Sequence, residues 1–138
     1  MNTHLRVSEY MTIDLVTVTP DTELMRAVYL LVEHDVSGIP VVDENGDLVG
    51  ILTERDCIAT AITAGYFDEA GGSVRDFMSS PVETAEADDS LMDIAERLSN
   101  SIYRRFPVVE DGRLVGLISR RDVLEALKQG SWFKPYET

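Results

Sequence analysis

The stretch Leu48–Asp56 reads LVGILTERD, and Leu114–Asp122 reads LVGLISRRD. Each runs through apolar, β-favouring residues to a hydroxyl (Thr53, Ser119) and places an aspartate three positions later (Asp56, Asp122). Such a phrase predicts a strand that hands over to a helix. A hydroxyl at the N-cap accepts from a backbone N–H, and an acid at the third helical position returns to the cap. Its appearance twice in 138 residues points to an internal duplication.

Working outward, VSEYM (7–11) aligns with VRDFM (74–78), Leu24 with Leu91, and Ile39-Pro40-Val41-Val42 with Phe106-Pro107-Val108-Val109, all at an offset of 67. Beyond the turn the offset becomes 66, because DENGD (43–47) is one residue longer than EDGR (110–113). Each copy opens with a short extended run, Leu15–Val18 or Val82–Ala85, and Asp21 or Asp88 is placed to cap the helix that follows. Leu24, Ala27, Val28, Leu31 and Val32 give that helix one apolar face, as do Leu91, Ile94, Ala95 and Leu98. Two β-runs joined by Asn45-Gly46 or Asp111-Gly112 predict hairpins, since these residues tolerate positive φ. Closing helices over 54–64 and 120–129 end at Gly65 and Gly130.

The unit is β-α-β-β-α, twice, in an α/β (α+β) fold. We place repeat 1 at 7–65, a glycine-bearing linker at 66–73, repeat 2 at 74–130 and an aromatic tail at 131–138 (Trp132, Phe133, Tyr136). A repeat of this size is too small for a robust core alone, so the two are expected to pack sheet to sheet about a pseudo-twofold axis. The tail aromatics would fold back on a core edge or anchor a dimer or partner.

A net charge of −13 disfavours nucleic acid and anionic lipid as partners. The acid surplus is uneven. Residues 1–73 hold 3 basic and 13 acidic side chains, and residues 74–138 hold 9 and 12, so an anion should prefer the second half. The single cysteine, Cys57, excludes an internal disulfide framework and fits a reducing, cytoplasmic setting. It aligns with Val123 and so reads as a small buried apolar residue. No apolar run is long enough to span a membrane. His4 and His34 have no partner at metal-ligand spacing, so no metal site is expected. Neither a Ser-His-Asp arrangement nor a phosphate-cradling glycine loop is visible, so no catalytic residues are assigned and the chain is read as a non-enzyme.

Paired β-α-β-β-α copies with x-P-V-V-[DE], an Asn-Gly or Asp-Gly turn, L-V-G-h-h-[ST] and x-x-D resemble the CBS domain, over about residues 7–128. The resemblance implies a regulatory, signal-transducing module that binds an adenosine-containing ligand between the repeats. AMP, ADP or ATP would come first, and S-adenosylmethionine or a dinucleotide less readily. It also implies a homodimer, a regulated partner protein of unknown identity and no catalytic cofactor. Carried onto this sequence, it puts Ser119 and Asp122, with Thr53 and Asp56, on ribose; Arg104 and Arg105, helped by Arg120 or Arg121, on phosphate; and Ser80, Pro81, Val82 and Ile118 around the base at one site. The other site would take Ile13, Asp14, Leu15 and Leu52 with Thr53 and Asp56. Asp14 could accept from a base amino group or repel a phosphate. A second reading stays open: the hydroxyl–aspartate pairs only cap helices, the arginines only solvate a surface, and the chain is a structural or oligomerisation module that binds a partner without nucleotide.

Overall fold

The computed structural model describes residues 5–64 and 72–130. Among the described residues it is a mixed α/β structure with two sheets and four α-helices, and its chain divides into two compact units. The first unit is Val16–Val82; the second combines the residues up to Leu15 with those from Glu83 onward.

The first unit is built on helix α1 (Leu24–Glu33), the hairpin of β1 (Gly38–Val42) and β2 (Leu48–Thr53), and helix α2 (Glu54–Ala64). β1 and β2 are antiparallel, with Ile39 opposite Leu52 and Val41 opposite Gly50. The leading extended run contributes one parallel bridge, Val18 to Val41. In the turn, Asp43 Oδ1 accepts from the N–H groups of Asn45 (2.9 Å) and Asp47 (3.0 Å), and Gly46 takes φ 86°. Leu24, Ala27 and Leu31 of α1 meet Ile39, Val41 and Leu52 in the core. Val32, which the helical period puts on the same face, is instead 76% exposed.

The second unit has β3 (Ala85–Glu86) parallel to β4 (Arg105–Glu110), which is antiparallel to β5 (Arg113–Ser119), with helices α3 (Leu91–Asn100) and α4 (Arg120–Lys128). Asp111 (φ 52°) and Gly112 (φ 82°) make the two-residue turn that right-twisted strands favour. Leu91, Ile94 and Leu98 pack on Phe106, Val108, Ile118 and Ala126. Arg97 fastens the edge: its guanidinium lies 4.7 Å from the Phe106 ring centroid and donates to Glu83 Oε1 and Thr84 O, both at 3.0 Å.

The two leading pentapeptides lie with opposite hairpins. Val7 of VSEYM belongs to the core around Phe106, and Val74 of VRDFM to the core around Leu52. This crossing replaces the caps expected from Asp21 and Asp88. The N-cap residues are Glu23 and Ser90, neither making a side-chain cap bond. Backbone carbonyls from the crossing segments meet the first helical donors instead: Leu24 N–H donates to Gly72 O and Leu91 N–H to Leu5 O, both at 2.9 Å. Asp21 turns outward and pairs with Arg75 at 2.9 Å. The linker residues 66–71, the tail 131–138, His4 and Gly65 lie outside the described residues.

Candidate functional site

Both repeated phrases fold as complete capping boxes. In the second unit Asp122 N–H donates to Ser119 Oγ (3.1 Å), while Asp122 Oδ2 accepts from Ser119 N–H (2.9 Å) and from its hydroxyl (3.0 Å). In the first unit Asp56 N–H donates to Thr53 Oγ1 (3.1 Å) and Asp56 Oδ2 accepts from Thr53 N–H (3.0 Å). Each aspartate is only half-buried, so its carboxylate is fixed by local backbone yet keeps a face toward solvent.

A second hydroxyl completes each cluster, and it arrives along a crossing segment. Thr12 Oγ1 donates to Asp122 Oδ1 at 3.3 Å; Ser79 Oγ lies 3.2 and 3.4 Å from the two oxygens of Asp56. Paired backbone bonds hold both segments: Thr12 with Leu117 (2.8 and 2.9 Å) and Ser79 with Ile51 (2.8 and 3.0 Å). This corrects the grouping expected above. Ile13, Asp14 and Leu15 follow Thr12 in the unit of Ser119 and Asp122, whereas Ser80, Pro81 and Val82 follow Ser79 in the unit of Thr53 and Asp56. Sequence reasoning passed over Thr12 and Ser79, although a hydroxyl recurring right after Met11 and Met78 is itself a repeat signal.

Strand register separates the two clusters electrostatically. Arg105 stands directly opposite Ser119, so both side chains emerge on one face within a few ångströms. The residue opposite Thr53 is Gly38. Arg105 is half-buried, and its Nε is screened from solvent without a hydrogen-bond partner. The ion pairs among the described residues are Arg75–Asp21 and Arg97–Glu83, which leaves Arg104, Arg105 and Arg121 outside any. Arg120 is committed elsewhere, donating to Leu98 O (3.2 Å) and Ser101 O (2.7 Å) at the end of α3.

The family model for the CBS domain matches this chain twice, at residues 7–62 and 74–129. The chain belongs to the CBS domain family. An uncharacterised protein of Methanopyrus kandleri, MK0525, is 32% identical over 114 residues, which cover 81% of this chain and 57% of that protein. The chain spans between 22% and 64% of the length of this and four other curated relatives that it matches. Among solved structures, CBSX2 in complex with AMP superposes with a TM-score of 0.80 at 34% identity, over 91% of this chain and 98% of that one; CBSX2 comes from Arabidopsis thaliana. The CBS pair of protein MJ0100, solved with 5′-methylthioadenosine and S-adenosyl-L-methionine, superposes with a TM-score of 0.74 at 28% identity, over 91% and 97%.

Within the CBS units the remaining predicted residues divide by burial. Ile13, Asp14, Ser80 and Pro81 are exposed and Leu15 and Val82 half-buried. Ile118 and Leu52 are wholly buried in their unit cores, so the structure gives them to packing and leaves no surface for a base. Cys57 is buried in the first core, and burial, with the Asp56 charge beside it, pushes its thiol pKa up. A thiol so placed stays protonated at neutral pH and behaves as a small apolar side chain. A depression of about 540 Å³ lined by Glu83, Asp93, Glu96, Arg97, Asn100 and Ser101 includes none of the predicted residues. No helix among the described residues is long and apolar enough to cross a membrane, and no group of three metal-ligating side chains occurs among them.

Proposed function

We propose that this chain is a non-catalytic regulatory module whose second unit binds an adenosine-containing ligand, with AMP, ADP or ATP ahead of S-adenosylmethionine, and hands the resulting change to a partner protein in the cytoplasm. One observation carries the reading. A half-buried carboxylate, Asp122, is hydrogen-bonded to Ser119, which stands directly opposite Arg105, a guanidinium in no ion pair among the described residues. Carboxylates accept from the two hydroxyls of a ribose, and a free guanidinium forks onto a phosphate. Linked through Ser119, which ends β5 opposite Arg105 and caps the helix of Asp122, they match the two polar ends of a nucleoside phosphate. Arg104 and Arg121 extend the positive side, and exposed Ile13 (74%) offers apolar surface beside Thr12 for a base. AMP in the related CBSX2 supports this choice. The first unit has Gly38 in the place of Arg105, so it suits a phosphate less.

Calorimetric titration with AMP, ADP and ATP tests the reading. Binding accompanied by thermal stabilisation is expected; neither heat nor a melting shift at millimolar ligand would remove the nucleotide.

A second observation bears on assembly. Met25, Tyr29 and Val32 expose apolar surface along α1, and Ile58 on α2, whereas the positions aligned with Tyr29 and Val32 are Glu96 and Ser99. We read this as the contact of a homodimer made through the first unit. Tyr29→Asp should turn a dimer into a monomer in sedimentation velocity, and a parent already monomeric at tens of micromolar would end that reading. Self-association with no nucleotide response is the outcome that favours the oligomerisation module.

A further inference from the structure

We propose that Thr12 is an internal competitor: its hydroxyl occupies the Asp122 acceptor that a ribose needs, and ligand binding displaces it. This rests on the reading that Asp122 grips a ribose. Asp122 Oδ2 already accepts two donors from Ser119, at 2.9 and 3.0 Å, and Oδ1 accepts from Thr12 Oγ1 at 3.3 Å. A carboxylate offers about four lone-pair positions. Oδ2 is therefore full, and a diol donating two hydroxyls is left with Oδ1, where Thr12 holds one of the two places. A bidentate grip makes Thr12 let go.

The geometry lets it do so cheaply. At 3.3 Å its bond is the longest and weakest of the three. The Thr12 backbone keeps its two bonds to Leu117, so the hydroxyl can leave by side-chain rotation while the segment stays on the sheet. Ser79 stands on Asp56 in the same way, at 3.2 Å, so the contact is built into both copies. The crossing segment runs from Val7 in the second core through Thr12 to Leu15, where the chain passes into the first unit. Free energy held in this contact is subtracted from the affinity for ribose.

The test is titration of AMP and 2′-deoxy-AMP into the full chain and its Thr12→Val, Thr12→Ala and Thr12→Ser variants. Removing the hydroxyl should tighten AMP about two- to tenfold, less than a full charge-assisted bond would give because the 3.3 Å contact is long. Thr12→Ser should bind like the parent. The gain should shrink for 2′-deoxy-AMP, which has one hydroxyl fewer to place. Weakened or unchanged AMP binding in both Thr12→Val and Thr12→Ala, or an equal gain with the deoxy ligand, overturns the competition while leaving the nucleotide reading intact. A parent that binds no AMP overturns both.

Discussion

Asp122→Ala is expected to weaken AMP binding ten- to a hundredfold, the largest loss of any single change at the site. A carboxylate that accepts from both ribose hydroxyls makes two charge-assisted bonds, each worth roughly 1.5–3 kcal/mol, and part of that is recovered by water in the variant. Asp56→Ala should cost AMP much less, because Gly38 stands where the second unit has Arg105 and the first unit's phrase has only Arg55 beside Glu54. The two variants should nonetheless melt alike. Each loses one half of a capping box and strands one backbone N–H, Ser119 in one unit and Thr53 in the other, about 1 kcal/mol or a few degrees. Matched melting with unmatched binding separates the ligand role from the cap, and it can be read in one pair of experiments. Equal loss of stability with no difference in AMP affinity would leave the capping role alone.

How much of this was legible beforehand follows the range of the interactions. The capping boxes depend on residues three apart, and the repeated phrases announced them correctly in both copies. The turn at Asp111-Gly112 and the start of each closing helix are equally local, and they fell where the sequence put them. Val32 is different: the period places it on the apolar face of α1, and only the width of the packed interface decides that Leu24, Ala27 and Leu31 fill the core without it. The crossing of the leading segments was not legible for a stronger reason. VSEYM and VRDFM are near copies, as are the two hairpins, so either segment offers an apolar valine and a methionine that suit either hairpin. Local pattern energy is almost the same for both pairings, and the choice lies in chain connectivity and long-range packing. That choice set which of the residues expected to flank a base lie in the unit of Asp122, and it hid Thr12 and Ser79 from the sequence reading.

The glycine of each repeated phrase now has its reason, and it yields the largest expected effect on stability. A Cβ on Gly116 would stand 2.6 Å from Met11 Sδ, 3.0 Å from Met11 Cγ and 3.1 Å from the Thr12 carbonyl oxygen; a Cβ on Gly50 meets Met78 Sδ at 2.6 Å and Ser79 O at 3.1 Å. Neither glycine has positive φ, so the need is space for the crossing methionine and not backbone freedom. Gly116→Val should therefore destabilise the protein by about 3 kcal/mol, on the order of 10 °C in Tm, and Gly116→Ala by about half as much. Because the clash pushes on Thr12 itself, the Leu117 ladder loosens and the hydroxyl leaves Asp122 in the same step. Trimming the methionine is the control. If the side chain is what the glycine accommodates, Met11→Ala should make Gly116→Ala cost at least about 1 kcal/mol less than it does alone, a coupling that distant sites do not show. Strict additivity of the two losses would mean that Gly116 is required by something other than Met11. The crossing segment would then owe its place on β5 to its backbone bonds alone.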